Sequence, residues 1–347
     1  MKKQSILVLA LKPAMRVTES VGIGIVLMLA AALIAMITPS AASASSTCQG
    51  PTATRLVTGL EGAMGSTIGP DGALYVTEGA AGRISRVDPE TGEKTTFASG
   101  LPPAIIGIGG AIDVAFIDNI AYVLVTLVND PLFPSSDVDG IYRVDGPDSF
   151  TVVADIGAFN LANPPTIQFL YFIATGLQYA LQTYRGGFLV ADSHLNRVLR
   201  VTLGGGISVL RDFDNIVPAG LEVRGNTVYM AEAGADPHLP QDGKVVLFGR
   251  KSPTATEVAS GVPFLLDVEF GGGRLYALSH GTVDPNIDPS NAVPNTGALV
   301  KVNGDGTFTV IMDGLDRPTS LEFIGNTAYF VTLTGEIWKI DGVRCRP

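Results

Sequence analysis

The stretch Gly69–Gly92 reads GPDGALYVTEGAAGRISRVDPETG. A turn cluster, Pro70-Asp71-Gly72, leads into the short apolar run Leu74-Tyr75-Val76. Glycines follow at 79 and 82, then a second run, Arg83–Val87, and another turn. Gly, Asn and Asp tolerate the positive φ of tight hairpin turns, so the stretch reads as two antiparallel strands. Whether it is one hairpin or one copy of many decides the fold.

It recurs. Runs like the one around Tyr75 surround Tyr122, Leu189, Tyr229, Tyr276 and Tyr329, at spacings of 47, 67, 40, 47 and 53 residues. Each has a strand-like run and a tight turn before it, such as Gly220-Leu221-Glu222-Val223 with Gly225-Asn226. Each has a third run after it, such as Arg197–Val201 or Glu336–Ile340, and in most a fourth follows. A period of this length with strand units predicts propeller blades. Four strands, a to d, six times over, predict an all-β, six-bladed β-propeller of antiparallel blades. Several strands are apolar on both faces, as packing between two other sheets requires.

The sixth copy stops after strand c, while a spare strand, Thr54–Val57, stands before the first. The sequence therefore predicts that the N-terminal strand serves as strand d of the last blade and closes the ring. That arrangement brings Cys48 towards Cys345, the only two cysteines, and a disulfide between them is expected in an exported protein.

Export is read from residues 1–44. Lys2, Lys3, Lys12 and Arg16 precede the 17-residue apolar run Val21–Ile37, and Ala42-Ser43-Ala44 supplies an A-x-A cleavage signal. The expectation is a signal peptide, a propeller from 45 to 347, and a secreted product; an uncleaved leader would instead anchor the chain in a membrane. The full chain carries a net charge of −10 and no run of Lys or Arg, which argues against nucleic acid as a partner. A monomer is expected.

Loop lengths distinguish the two ends of the ring. The b–c and d–a connections hold the long ones: Asn129–Gly140, Ala158–Thr175, Gly234–Gly243 and Gly281–Gly297. Long loops on a rigid scaffold are where function sits, so this face is the expected functional face. All three histidines fall on it, His194, His238 and His280, with Asp192 and Glu232 close by in sequence. Each histidine is a candidate metal ligand or general base, or an ordinary surface residue. A second group lies in strand a, nearest the axis. Aligning the copies places Gln178, Glu222, Glu269 and Glu322 in one column, with Asp113 and Asp267 two positions earlier. Converging carboxylates could hold Ca²⁺ or another divalent metal, or supply a base; alternatively they pair locally or face channel water. Nucleophile-elbow, zincin, phosphate-loop and C-x-x-C motifs are all absent.

Three segments resemble the ScyD/ScyE family of exported bacterial propellers, named after proteins encoded with the genes for the pigment scytonemin. They are VTGLEGAMGSTIGPDGALYVTE (Val57–Glu78), IYRVDGPDSFTVVADIGAFNLANP (Ile141–Pro164) and GALVKVNGDGTFTV (Gly297–Val310). Phe159–Pro164 is the most telling; the apolar PTIQFLYFI from Pro165 to Ile173 departs from the family pattern. The repeats are also similar to the NHL class. The resemblance implies a secreted binding or scaffold protein and brings no catalytic residues with it. Two functions are therefore carried forward: recognition of a small molecule, glycan or protein on the loop-rich face, and a metal-dependent, lactonase-like hydrolase using the axial carboxylates.

Overall fold

The computed structural model describes residues 50–165, 173–249, 252, 254–284 and 286–344. The leader and both cysteines lie outside the described residues. Six four-stranded antiparallel sheets form the molecule, a six-bladed β-propeller. Blades one to five run in strict chain order, from Ala63–Ile68 at the start of blade one to Phe308–Leu315 at the end of blade five. Blade six contains Pro318–Ile324, Thr327–Thr332 and Ile337–Asp341, and its outer strand is Thr52–Val57. That strand pairs antiparallel with Ile337–Asp341, Thr52 opposite Asp341 and Arg55 opposite Trp338.

The core is distributed rather than central. One apolar cluster fills each junction between neighbouring blades. At the junction of blades three and four, Leu189, Ala191 and Val198 meet Val228, Met230 and Phe248. At that of blades six and one, Tyr329 and Val331 meet Leu74 and Val76. Strand b is consequently buried along most of its length, and throughout in Leu74–Glu78 and Gly187–Asp192. This is why the run around Tyr75 is the most recognisable unit of the repeat.

Every inner strand carries a register shift at the same place, for example between Gln178 and Ala180, Pro218 and Leu221, and Leu265 and Asp267. A bulge adds one residue and increases the local twist, which turns a side chain towards the axis. Two glycines serve the inner ring by having no side chain: a Cβ on Gly65 or Gly220 would collide with Asp113 or Asp267 of the next blade.

One expected loop is partly helical. Helix α1, Ile156–Ala162, follows blade two, with Asp155 capping it by accepting a hydrogen bond from the Ala158 N–H at 2.8 Å.

Candidate functional site

The bulge in strand a of blade three directs Tyr179 across the ring. Its hydroxyl donates to the Thr319 carbonyl of blade six, the opposite blade, at 2.7 Å. Burial, aided by the Asp267 and Asp113 carboxyls, pushes the phenol well above its ordinary range, so it remains a donor. Tyr179 separates two cavities. A neck of only about 20 Å³ between Asp113, Tyr179 and Asp267 lies between them.

The larger cavity, about 460 Å³, opens on the loop-rich face. Met64, Ile108, Leu177, Val217, Leu266 and Leu333 make much of its wall, and Tyr179 is its floor. Among the described residues no Asp, Glu, Lys or Arg lines it. One side is aromatic. The His238 ring stacks on Phe264 with centroids 3.8 Å apart, and Phe264 meets His280 edge-on at 4.9 Å.

Both histidines are fixed by backbone carbonyls. His238 Nδ1 lies 2.7 Å from the Gly234 carbonyl and 3.2 Å from that of Ala233. A carbonyl only accepts, so Nδ1 carries the proton and Nε2 holds the lone pair. His280 Nδ1 likewise donates to the Pro318 carbonyl at 3.0 Å. Its Nε2 is 3.0 Å from the Asn291 amide oxygen, which also accepts the Ala292 N–H at 2.9 Å. Burial lowers the pKa of both histidines and keeps them neutral.

The second cavity, about 260 Å³, lies on the side of the short a–b turns and is polar. Gln182, Glu269 and Glu322 line it, with Glu222 beside them: Gln182 Nε2 donates to Glu222 Oε2 at 2.9 Å. The register places Gln182, opposite Leu189, in the column that the sequence assigned to Gln178. Gln178 instead faces Asp192, four residues earlier. The strand holds two glutamines four residues apart, and only the cross-strand pairing tells them apart. Burial first, then repulsion from neighbouring carboxyls, raises Glu269 and Glu322 well above the usual range; burial also raises Glu222.

Asp113 and Asp267 are structural links between blades. Asp113 Oδ2 accepts the Leu181 N–H and Asp267 Oδ2 the Leu321 N–H, each at 2.7 Å. Among the described residues no three His, Cys, Asp or Glu side chains gather as a metal-ligand set. Among the described residues the loop-face cavity offers two neutral imidazoles and an amide without a carboxylate, a donor set that does not fit Ca²⁺ or Mg²⁺.

The other candidates lie apart. Asp192 is fully buried, accepting from Asn160 Nδ2 at 2.6 Å and from Gln178 Nε2 at 3.4 Å, with Arg197 Nε 3.8 Å away. Arg197 in turn donates to Asn160 Oδ1 at 2.6 Å and to the Asn163 carbonyl at 2.8 Å. The Phe159–Pro164 segment therefore holds helix α1 to blade three. Burial pulls His194 down to about 4, and its ring feels Asp130 rather than the other two histidines. Glu232 pairs in register with Lys244, and burial lifts it to about 7. Asp192 and Glu232 end strand b of their blades, as buried Glu78 does in blade one, where it binds Arg83 at 2.6 Å.

No family model matches the chain, and no curated protein matches it. The likeness is to propellers of known structure. A gluconolactonase from Xanthomonas campestris superposes with a TM-score of 0.56 at 13% identity, covering 84% of this chain and 89% of that one. The PQQ-bound aldose sugar dehydrogenase of Streptomyces coelicolor gives 0.54 at 15%, covering 84% and 98%. A catalytically inactive virginiamycin B lyase from Staphylococcus aureus, with quinupristin, gives 0.51 at 14%, again covering 84% and 98%. At these identities the likeness establishes the fold alone.

Proposed function

We propose that the protein binds a small molecule in the loop-face cavity. The observation that carries this reading is a concave, mainly apolar space of about 460 Å³ on which a few fixed polar groups converge. Its concavity favours a small molecule over a glycan chain or a protein surface. Propellers of similar fold studied with PQQ and quinupristin bound agree with such a partner. Membership of the ScyD/ScyE type, export and a monomeric state belong to the same proposal, supported by the sequence segments and leader described above.

The test is a fragment screen against the purified protein and its Gly107→Phe variant. Gly107 lines the cavity, and a Cβ there meets nothing within 4 Å, so the bulky ring obstructs the space without disturbing the fold. Hits that bind the native protein and not the variant support the reading; hits that bind both equally overturn it.

A second reading has one observation in its favour. With its proton fixed on Nδ1, His238 has a lone pair on Nε2, the arrangement of a general base. It would make the cavity an active site working through imidazole rather than metal. Turnover lost in His238→Phe, with binding retained, would establish it.

A further inference from the structure

Building on the binding reading, we infer that the ligand is uncharged, largely apolar and a hydrogen-bond donor, such as an alcohol or an N–H compound. The polar atoms of the cavity wall lead to this conclusion together. Tyr179 gives its hydroxyl proton to the Thr319 carbonyl at 2.7 Å. Thr319 gives its own to the Met64 carbonyl at 2.7 Å. Ser193 donates to the Pro218 carbonyl at 2.5 Å. His238 and His280 have their Nδ1 protons on Gly234 and Pro318. Among the described side chains of the wall, only the Asn291 amide retains an N–H.

The wall therefore has open acceptors and few open donors. The foremost acceptor is His238 Nε2, beside the Phe264 ring. A ligand whose only polar group accepts would lose its bonds to water and gain little in return, whereas one that donates is satisfied. A charged head would be worse placed, since among the described residues no side chain of opposite charge lines the cavity. The rim points to an apolar body. Beside the lining residues Gly107 and Ile108, Ile105 and Ile106 are 46% and 41% exposed. Leu239, next to His238, is 43% exposed, and Ile287 in the loop carrying Asn291 is 75% exposed. The same shortage of donors weighs against a lactone or ester substrate, whose hydrolysis needs donors aimed at the developing oxyanion.

The experiment compares four probes with one apolar body: 4-phenylbutan-1-ol, its methyl ether, 4-phenylbutylammonium and 4-phenylbutanoate. Affinities are measured by calorimetry or NMR titration on the native protein, on Gly107→Phe and on His238→Phe. The alcohol is expected to bind about tenfold tighter than its ether, the difference made by one satisfied donor. Both ions should bind more weakly than the alcohol. His238→Phe keeps an aromatic ring at 238 and removes the acceptor, so the preference for alcohol over ether should disappear there. Equal or tighter binding of the ether, or of either ion, in a manner blocked by Gly107→Phe overturns the inference and leaves the binding reading standing. Failure of all four probes to bind at millimolar concentration overturns both. Because the alcohol–ether comparison is made on the native protein, it does not depend on a variant folding.

Discussion

Tyr179 and Thr319 face each other from opposite blades, and the 2.7 Å hydrogen bond between them bars the axis of the ring. Replacing Tyr179 by Phe keeps the ring and leaves the buried Thr319 carbonyl without its donor. We expect a loss of about 1–3 kcal/mol, the cost of an unsatisfied buried acceptor, read as a lower urea midpoint. An unchanged midpoint would show that water replaces the phenol and that the two cavities already communicate.

The buried carboxyls fix a direction for stability against pH. Glu269 and Glu322 lie well above their ordinary values, and Asp267 and Glu232 are raised to about 7. A carboxyl whose pKa is raised by folding binds its proton more tightly in the native state. Its contribution is present below the unfolded pKa and is lost as pH rises through the folded one. The depressed histidines act oppositely, giving up stability as pH falls below about 6.5 towards their folded values. Between pH 8.5 and 7.5 the histidines are neutral in both folded and unfolded chains, so the urea midpoint should rise on acidification. Glu269→Gln should flatten that slope. A midpoint that falls over this interval would contradict the account.

Thr52 stands opposite Asp341, and in the sequence Cys48 precedes the one, and Cys345 follows the other, by four residues. We expect peptide mapping without reductant to find the two joined. Reduction should cost about 2–5 kcal/mol. Free thiols in protein purified without reductant would refute the pairing.

Asn160 satisfies Asp192 and Arg197 at once, each at 2.6 Å. Asn160→Leu removes both bonds from a charged pair that has almost no exposure. The expected cost is about 1–3 kcal/mol for each bond lost, since a buried acceptor and a buried donor are left unsatisfied while the Asp192–Arg197 pair itself remains. Differential scanning calorimetry would show it as a large fall in Tm. Binding at the loop-face cavity should survive in the folded fraction, because Asn160 is not part of that wall.

The fold was legible because strand b is buried on both faces and its turns demand Gly, Asn or Asp. Burial and turn chemistry leave a periodic trace, as at Tyr75, Tyr122 and Tyr329. The inner strands were less legible. In blade three two glutamines four residues apart, Gln178 and Gln182, look alike in sequence, and only the pairing of Gln182 with Leu189 shows which one stands in the column. Two histidines of the functional face, His238 and His280, do meet at one cavity; His194 does not. Phe264 and Tyr179 went unnoticed because an aromatic residue at a strand end looks like core packing. Only the way opposite blades face one another reveals Tyr179 as the floor. Asp113 and Asp267 looked like ligands, and their role as acceptors for Leu181 and Leu321 is a relationship between blades rather than a local pattern.

The narrow neck beside Tyr179 makes the loop-face cavity a blind alley. A molecule that enters past Ile105, Ile106 and Leu239 must leave by the same door. Residence time is then governed by the rim alone, and substitutions there should change arrival and departure together while leaving the preference among ligands to the deeper wall.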